Sequence, residues 1–278
     1  MRALVAGAAR QIVPPALLNR LLVLGHRLKL IRLKRIWEGE YAHFNDVPAA
    51  GPAWSSAAYR KEAVEDAQAI LTTTRDTPPG GVADQNGSLL GLLATVLRRA
   101  HGGRLRILSV GGGPGTGYAH LSRALGTVDG VEYHAVELPW ACEEGARLFC
   151  DDPRIRFHES LPDDLRDVDL VYASGVLELF DDWAGALRAF CGYRPRYVLL
   201  TNVPCGHFRP YATELRLLPG SRIPMWFLNV NDIVDVMTKH GYELVFRTLL
   251  ERAYNQDNFR DAARLPGGHP SALLFERS

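Results

Sequence analysis

Five glycines fall within seven positions, Gly111, Gly112, Gly113, Gly115 and Gly117, in the stretch "RILSVGGGPGTGYAHL". A β-branched apolar run leads in and a helix-compatible run leads out, which places the glycines on a strand-to-helix turn. Glycine there lets backbone approach a partner that a Cβ would keep away. The dinucleotide pattern G-x-G-x-x-G is not met, because the sixth position is Thr116 counted from Gly111, Tyr118 from Gly113 and His120 from Gly115. The triphosphate loop is not met either: Gly112 and Gly117 have its spacing, but Tyr118 stands where a lysine is required. What remains is G-x-G-x-G at Gly111, Gly113 and Gly115. The next β-branched run, "VEYHAVELP", ends on Glu137, 22 residues beyond Gly115. In a doubly wound sheet this places a carboxylate at the carboxyl end of the neighbouring strand, where it can accept both hydroxyls of a ribose.

Other side chains near strand ends carry candidate chemistry. Ser174 and Glu178 lie in "ASGVLELF", Asn202 and His207 in "TNVPCGHF", and Tyr211 shortly after. An oxygen nucleophile needs a base, and Glu178 and His207 are of the right type. Glu178 reads equally as a solvated residue and His207 as a surface histidine. Tyr118 opens the helix behind the glycines, with core packing and ligand contact both open to it. Trp226 and Phe227 in "IPMWF" read first as core residues and second as a pocket wall.

The elements that must position these groups change in texture near Gly103. Before it the chain reads as a helical cap region, residues 1–103. Leu17, Leu21, Leu24, Leu28 and Ile31 repeat at helical intervals after Pro14 and Pro15, and "SSAAYRKEAVEDAQAILTT" and "NGSLLGLLATVLRRAHGG" read as two further helices. From residue 104 to 278, "LRILSV", "VEYHAVE", "RIRFHE", "VDLVYAS" and "RYVLLTN" alternate with helical stretches, the pattern of a parallel α/β sheet. A helix, a glycine stop and two strands close the chain, which suits an antiparallel hairpin at the sheet edge.

Of the 278 residues, 47% are apolar and 23% charged, ordinary values for a globular protein. The net charge of +1 gives no reason to expect nucleic acid. Residues 1–37 hold eight Lys and Arg and no acid, so the rest is net acidic. This basic segment is open to packing as a lid, to a homo-oligomer contact and to an anionic membrane surface; no aromatic platform accompanies it that would stack nucleic-acid bases. Cys142, Cys150, Cys191 and Cys205 have neither zinc-site nor disulfide spacing and read as free thiols in a reducing compartment, and no metal site is expected. "ALVAGAA" is a poor signal peptide, and no run approaches the ~20 apolar residues of a membrane span. The expectation is a cytoplasmic protein, with peripheral membrane contact left open to the basic helix.

On the glycine loop, Glu137 and the closing helix and hairpin, residues 104–278 resemble the class I S-adenosylmethionine-dependent methyltransferases. That resemblance implies a Rossmann-like, mostly parallel sheet with an antiparallel last strand behind an N-terminal helical cap. It implies S-adenosylmethionine as cofactor and a small-molecule acceptor, a sugar, glycolipid or specialised metabolite. By the likeness Gly111, Gly113 and Gly115 line the methionine and ribose, with Tyr118 behind them; Glu137 holds the ribose, with Leu138 beside it. Ser160 and Leu161 lie by the adenine, and Ser174 and Gly175 face the methyl-transfer side. The chain departs from the pattern at Ser109, where the family usually carries an acid that organises the loop. "VPPALLNRLL", "WEGEYAHF", "GGGPGTGY", "SGVLELF", "YRPRYVLLTNVP" and "RIPMWFLNVNDIVDVMTKHGYELV" together resemble a narrower family, assigned as methyltransferases and often found in bacterial surface-polysaccharide gene clusters. Three rivals remain at this stage: the same fold using the cofactor for non-methyl alkyl transfer or cyclisation, a nicotinamide oxidoreductase, and a non-catalytic membrane- or partner-binding scaffold.

Overall fold

A computed structural model describes residues 33–76, 85–218, 220–251 and 253–278. The leucine-rich basic stretch expected as a helix at residues 14–31 lies outside the described residues. Among the described residues eleven strands and six α-helices follow one another: β1 (Trp37–Tyr41), α1 (Ala57–Asp76), α2 (Gln85–Ala100), β2 (Leu105–Val110), α3 (Thr116–Leu125), β3 (Val131–Val136), α4 (Pro139–Leu148), β4 (Ile155–His158), β5 (Leu170–Ser174), α5 (Trp183–Gly192), β6 (Tyr197–Val203), β7 (Cys205–Gly206), β8 (Tyr211–Leu215), β9 (Ile223–Asn229), α6 (Val230–Lys239), β10 (Tyr242–Leu249) and β11 (Ser271–Arg277).

Seven strands form the main sheet in the order β10-β11-β6-β5-β2-β3-β4. Every pairing from β6 to β4 is parallel. β11 runs antiparallel to both of its neighbours, β6 and β10. The closing hairpin is therefore present, with its second strand inserted inside the sheet and its first strand at the edge. The strand order reverses between β2 and β5, whose connections lead away to opposite sides. That point is where α/β sheets bind ligands, at the carboxyl ends of the strands.

The β-branched runs become strands because both faces of the sheet are covered. Leu108, Val110, Val171, Val198 and Leu200 join one core with Phe190, Ile233 and Met237 of α5 and α6. Leu105, Ile107, Tyr133 and Leu199 join the other with Leu90, Ala94 and Leu97 of α2 and Tyr118 and Leu121 of α3. Gly91 of α2 is pressed against the Ala124 methyl of α3, so a side chain there would drive the two helices apart. Of the four free cysteines, Cys142, Cys191 and Cys205 are buried and Cys150 is exposed.

The segment before Gly103 is not wholly helical. Trp37–Tyr41 is a strand that pairs antiparallel with β8. β8 pairs in turn with β9, and β9 with β7, giving a small second sheet in the order β1-β8-β9-β7. Its aromatic core joins Trp37, Phe208, Tyr211, Phe227 and Phe259. Tyr211 donates to the Ala263 carbonyl at 2.8 Å, and Trp226 donates its indole N–H to the Asp181 carbonyl at 3.1 Å. Both Tyr211 and Phe227 are thus packing residues of this layer.

Candidate functional site

β2 delivers the glycine loop to the switch point, and the loop turns straight into α3. Gly111, Gly113 and Gly115 all adopt left-handed backbone, with φ of 75°, 69° and 96°. Their neighbours separate two kinds of glycine. At Gly111 an added Cβ would lie 2.6 Å from the Val176 side chain, at Gly115 it would strike the Phe149 ring, and at Gly117 the Tyr133 hydroxyl. These three make room for the protein's own side chains. At Gly113 the nearest atom is Thr116 Oγ1 at 3.8 Å, and at Gly112 it is Ser109 Oγ at 3.2 Å. Gly113 thus has room on its Cβ side at the cavity, whereas Gly112 is closely backed by Ser109.

Glu137 stands beside this loop at the end of β3. Its Oε1 accepts from the Gly113 amide at 2.5 Å, and its own amide donates to the His158 carbonyl at 2.9 Å. Burial pushes its carboxyl up to about 7, against the bonds from the Gly113, Leu138 and Gly112 amides that favour the charged form. Ser109 is 1% exposed beneath the loop, and the carboxylate that bonds the loop comes from the end of the neighbouring strand. One Glu137 oxygen holds the loop; the carboxylate retains further lone pairs for a ligand.

A cavity of about 400 Å³ opens here, lined by Gly111, Gly112, Gly113 and Thr116 of the loop, Tyr172 and Ser174 of β5, and residues of α1 and α2. This is within the ~300–1,000 Å³ of small-molecule sites. Several of its lining groups carry no sequence signature. Tyr59, Glu62 and Asp66 come from α1, Asn86 from α2, His120 from α3, and Lys34, Leu217 and Leu218 from connecting segments. Nothing local in the sequence shows that α1, which carries Glu62 and Asp66, lies by the loop. Tyr59 is wedged between Trp54 and Trp140, and burial followed by the charge of Glu137 pushes its hydroxyl up to about 12. Asn86 Oδ1 is buried with no hydrogen-bond partner among the described residues, an acceptor left for a ligand's donor.

The remaining sequence candidates are distributed unevenly. Tyr118 does not face the cavity: it is 1% exposed, its ring packs on Tyr133 and Phe149, and its hydroxyl donates to Asp152 at 2.7 Å. Leu138 and Ser160 are exposed at the ends of β3 and β4, and Leu161 packs against the core, all outside the cavity lining. Ser174 lines the cavity, whereas Glu178, Asn202 and His207 do not. Gly175 brings two of these together, with Asn202 Cβ 3.5 Å and Glu178 Oε1 3.8 Å from where its Cβ would be. Asn202 holds a left-handed φ of 59°, backbone strain of the kind that clusters at functional sites. Glu178 is 5% exposed, its Oε2 has no partner, and burial pushes its carboxyl up to about 8. His207 is exposed and lies 3.3 Å from the Arg247 guanidinium, away from this group. Among the described residues no cluster of His, Cys, Asp or Glu could hold a metal ion, and no helix is long and apolar enough to cross a membrane.

The seven-stranded order is a Rossmann-like, mostly parallel sheet with an antiparallel last strand. No protein-family model matches the sequence, and comparison with curated proteins found no match. Solved structures similar to this chain include a 1,6-didemethyltoxoflavin-N1-methyltransferase of Burkholderia thailandensis with bound 1,6-didemethyltoxoflavin and S-adenosylhomocysteine. It is 16% identical, with 84% of this chain and 93% of that one covered and a TM-score of 0.48. The CcbJ methyltransferase of Streptomyces caelestis is 14% identical over 75% and 96% of the two chains, with a TM-score of 0.48. Magnesium protoporphyrin IX methyltransferase of Synechocystis, with bound S-adenosylhomocysteine, is 14% identical over 77% and 100%, with a TM-score of 0.46. These are likenesses of architecture.

Proposed function

We propose that this chain is an S-adenosylmethionine-dependent methyltransferase acting on a small-molecule acceptor. The observation that carries the reading is the pairing of Glu137 with Gly113. A half-buried carboxylate at the end of β3 braces the amide of Gly113, the loop glycine whose Cβ side meets nothing closer than Thr116 Oγ1 at 3.8 Å. That combination suits a ribose diol on Glu137 and an extended amino acid chain running over Gly112 and Gly113. The donor set fits the rest of the cofactor: Glu62, Asp66 and Asn86 Oδ1 would receive an ammonium group, and His120 a carboxylate. Bound there, S-adenosylmethionine supplies an electrophilic methyl group.

The chain's own part is positioning and water exclusion. α1 closes over the loop through Tyr59, Trp54 and Trp140. Ser174 marks the acceptor side at the cavity, with Asn202 and Glu178 beside Gly175; Glu178, which burial raises to about 8, is the group to take the acceptor's proton once it is ionised, above about pH 8. A sugar, glycolipid or specialised metabolite remains the proposed acceptor class, with the surface-polysaccharide resemblance favouring the first two.

Calorimetry with S-adenosylmethionine and S-adenosylhomocysteine, with NADH as control, tests the cofactor. Micromolar binding of the adenosyl ligands alone is expected. Binding of NADH instead, or of none, removes the proposal. The nucleoside product then distinguishes the chemistry: S-adenosylhomocysteine means methyl transfer, and methylthioadenosine means alkyl transfer or cyclisation.

A further inference from the structure

A second concavity adjoins the glycine-loop cavity and shares three lining residues with it, Lys34, Leu217 and Leu218. It measures about 760 Å³ and is otherwise lined by Ala50, Arg216, Gly220, Ser221 and Arg222. Leu217 and Leu218 thus form a shared wall, with the glycine loop and Ser174 on one side and two arginines on the other. No acid lines this second groove among the described residues. The carboxylate that does meet its arginines is Glu214 on β8, which is 2% exposed behind them. Arg216 pairs closely with Glu214, and Arg222 Nε lies 3.8 Å from its Oε1. Both arginines remain about half exposed, with side-chain values of 47% and 50%. Arg222 is fixed in place because its backbone bonds both ways with Ala50, at 2.9 and 3.1 Å. Lys34 is held through its carbonyl, which accepts from the Asn255 amide at 3.1 Å.

Lys34, Arg216 and Arg222 against the single Glu214 leave two positive charges uncompensated at the mouth of the site. A buried carboxylate orients the two guanidinium forks, and such forks match phosphate and carboxylate oxygens in paired hydrogen bonds. A phosphate monoester carries about −1.5 to −2 at neutral pH, which answers that excess in a way a lone carboxylate does not.

We infer that the acceptor carries a phosphate group, held by Lys34, Arg216 and Arg222, while its neutral end passes Leu217 and Leu218 towards Ser174. The inference rests on the methyltransferase reading for the identity of the reaction, but the groove itself is testable without it. The phosphate is that of a soluble sugar phosphate or of a lipid headgroup.

The test titrates the full chain by calorimetry at constant ionic strength with glucose 1-phosphate, and with glucose as the neutral control. Each is run on the free chain and on the chain saturated with S-adenosylhomocysteine. In parallel the chain is sedimented with phosphatidylcholine vesicles with and without phosphatidic acid. Glucose 1-phosphate is expected to bind both forms and glucose neither. Arg222→Gln is expected to weaken the sugar phosphate at least tenfold and leave the S-adenosylhomocysteine affinity within twofold, which also reports that the variant is folded. Sedimentation dependent on phosphatidic acid and lost in Arg222→Gln supports a lipid-borne phosphate; sugar-phosphate binding without it supports a soluble one. Failure of both phosphate probes, equal binding of glucose, or an unaltered Arg222→Gln variant overturns the inference. So does displacement of glucose 1-phosphate by S-adenosylhomocysteine, which would assign the cations to the cofactor's own carboxylate. If S-adenosylhomocysteine does not bind, the methyltransferase reading falls while the titration of the free chain still decides the groove.

Discussion

Lowering the pH from 8 to 6 should weaken binding of S-adenosylhomocysteine about tenfold, and Glu137 should account for it. Burial lifts this carboxyl to about 7 in the ligand-free chain. At pH 8 it is therefore about nine-tenths ionised and at pH 6 about one-tenth. Ribose hydroxyls donate hydrogen bonds, and donors to a carboxylate favour its charged form. The ligand selects the ionised state, so each unit of pH below 7 costs about 1.4 kcal/mol of binding. Calorimetry at pH 6, 7 and 8 in buffers of different ionisation enthalpy reads both the affinity and the proton released on binding. Glu62, Asp66 and His120 line the cavity beside the loop, so the decisive comparison is Glu137→Gln. That variant keeps an oxygen for the Gly113 amide. It should bind more weakly at pH 8, by ~1.5–3 kcal/mol if the charge-assisted bonds are lost, and its affinity should no longer fall between pH 8 and 6. An unchanged wild-type affinity across this range, or a Glu137→Gln variant with the same slope, would refute the reasoning.

The two classes of loop glycine should separate under substitution. Gly113→Ala meets no close neighbour and should lose only the ~1–2 kcal/mol of a left-handed non-glycine residue, with a larger effect on ligand affinity than on melting temperature. Gly115→Ala adds a collision with the Phe149 ring to the same backbone cost and should lower the melting temperature well beyond Gly113→Ala; equal melting temperatures would contradict the assignment. Glu178 is raised to about 8 by burial, so the folded state holds a proton that the unfolded chain, near 4.5, releases earlier. Its contribution is fully present below about pH 4.5 and is lost as pH rises through 8. Glu178→Gln should therefore gain stability relative to wild type between pH 6 and 9 in thermal melts, and a constant difference over that range would count against a protonated Glu178. Tyr118→Phe removes the bond to Asp152 and should cost ~1.5–3 kcal/mol of stability in urea denaturation. Its S-adenosylhomocysteine affinity should stay as in wild type, because the side chain lies in the core.

What the sequence determined by itself was the set of relations that are local or one crossover apart. The strands from Leu105 to Val203 follow from β-branched runs separated by helical ones. A right-handed crossover then puts Glu137 beside the glycine loop, because consecutive parallel strands lie next to each other and end on the same side. Tertiary structure alone decided what depends on distant chain. Thr213 bonds to the carbonyl of Gly39, 174 residues away, and that pairing turns a segment read as helical cap into the edge strand Trp37–Tyr41. In sequence the loop glycines are one symbol repeated, yet Gly117 is small because the Tyr133 hydroxyl lies against it, whereas Gly113 is open to the cavity. Glu178, in sequence as consistent with a solvated helix as with a base, is buried because the core closes around it, and its raised carboxyl is a consequence of that enclosure. Nothing local in the sequence sets Arg216 and Arg222 together over Glu214. Side-chain environment is set by whatever packs against a residue from elsewhere in the chain, and local pattern carries no record of it.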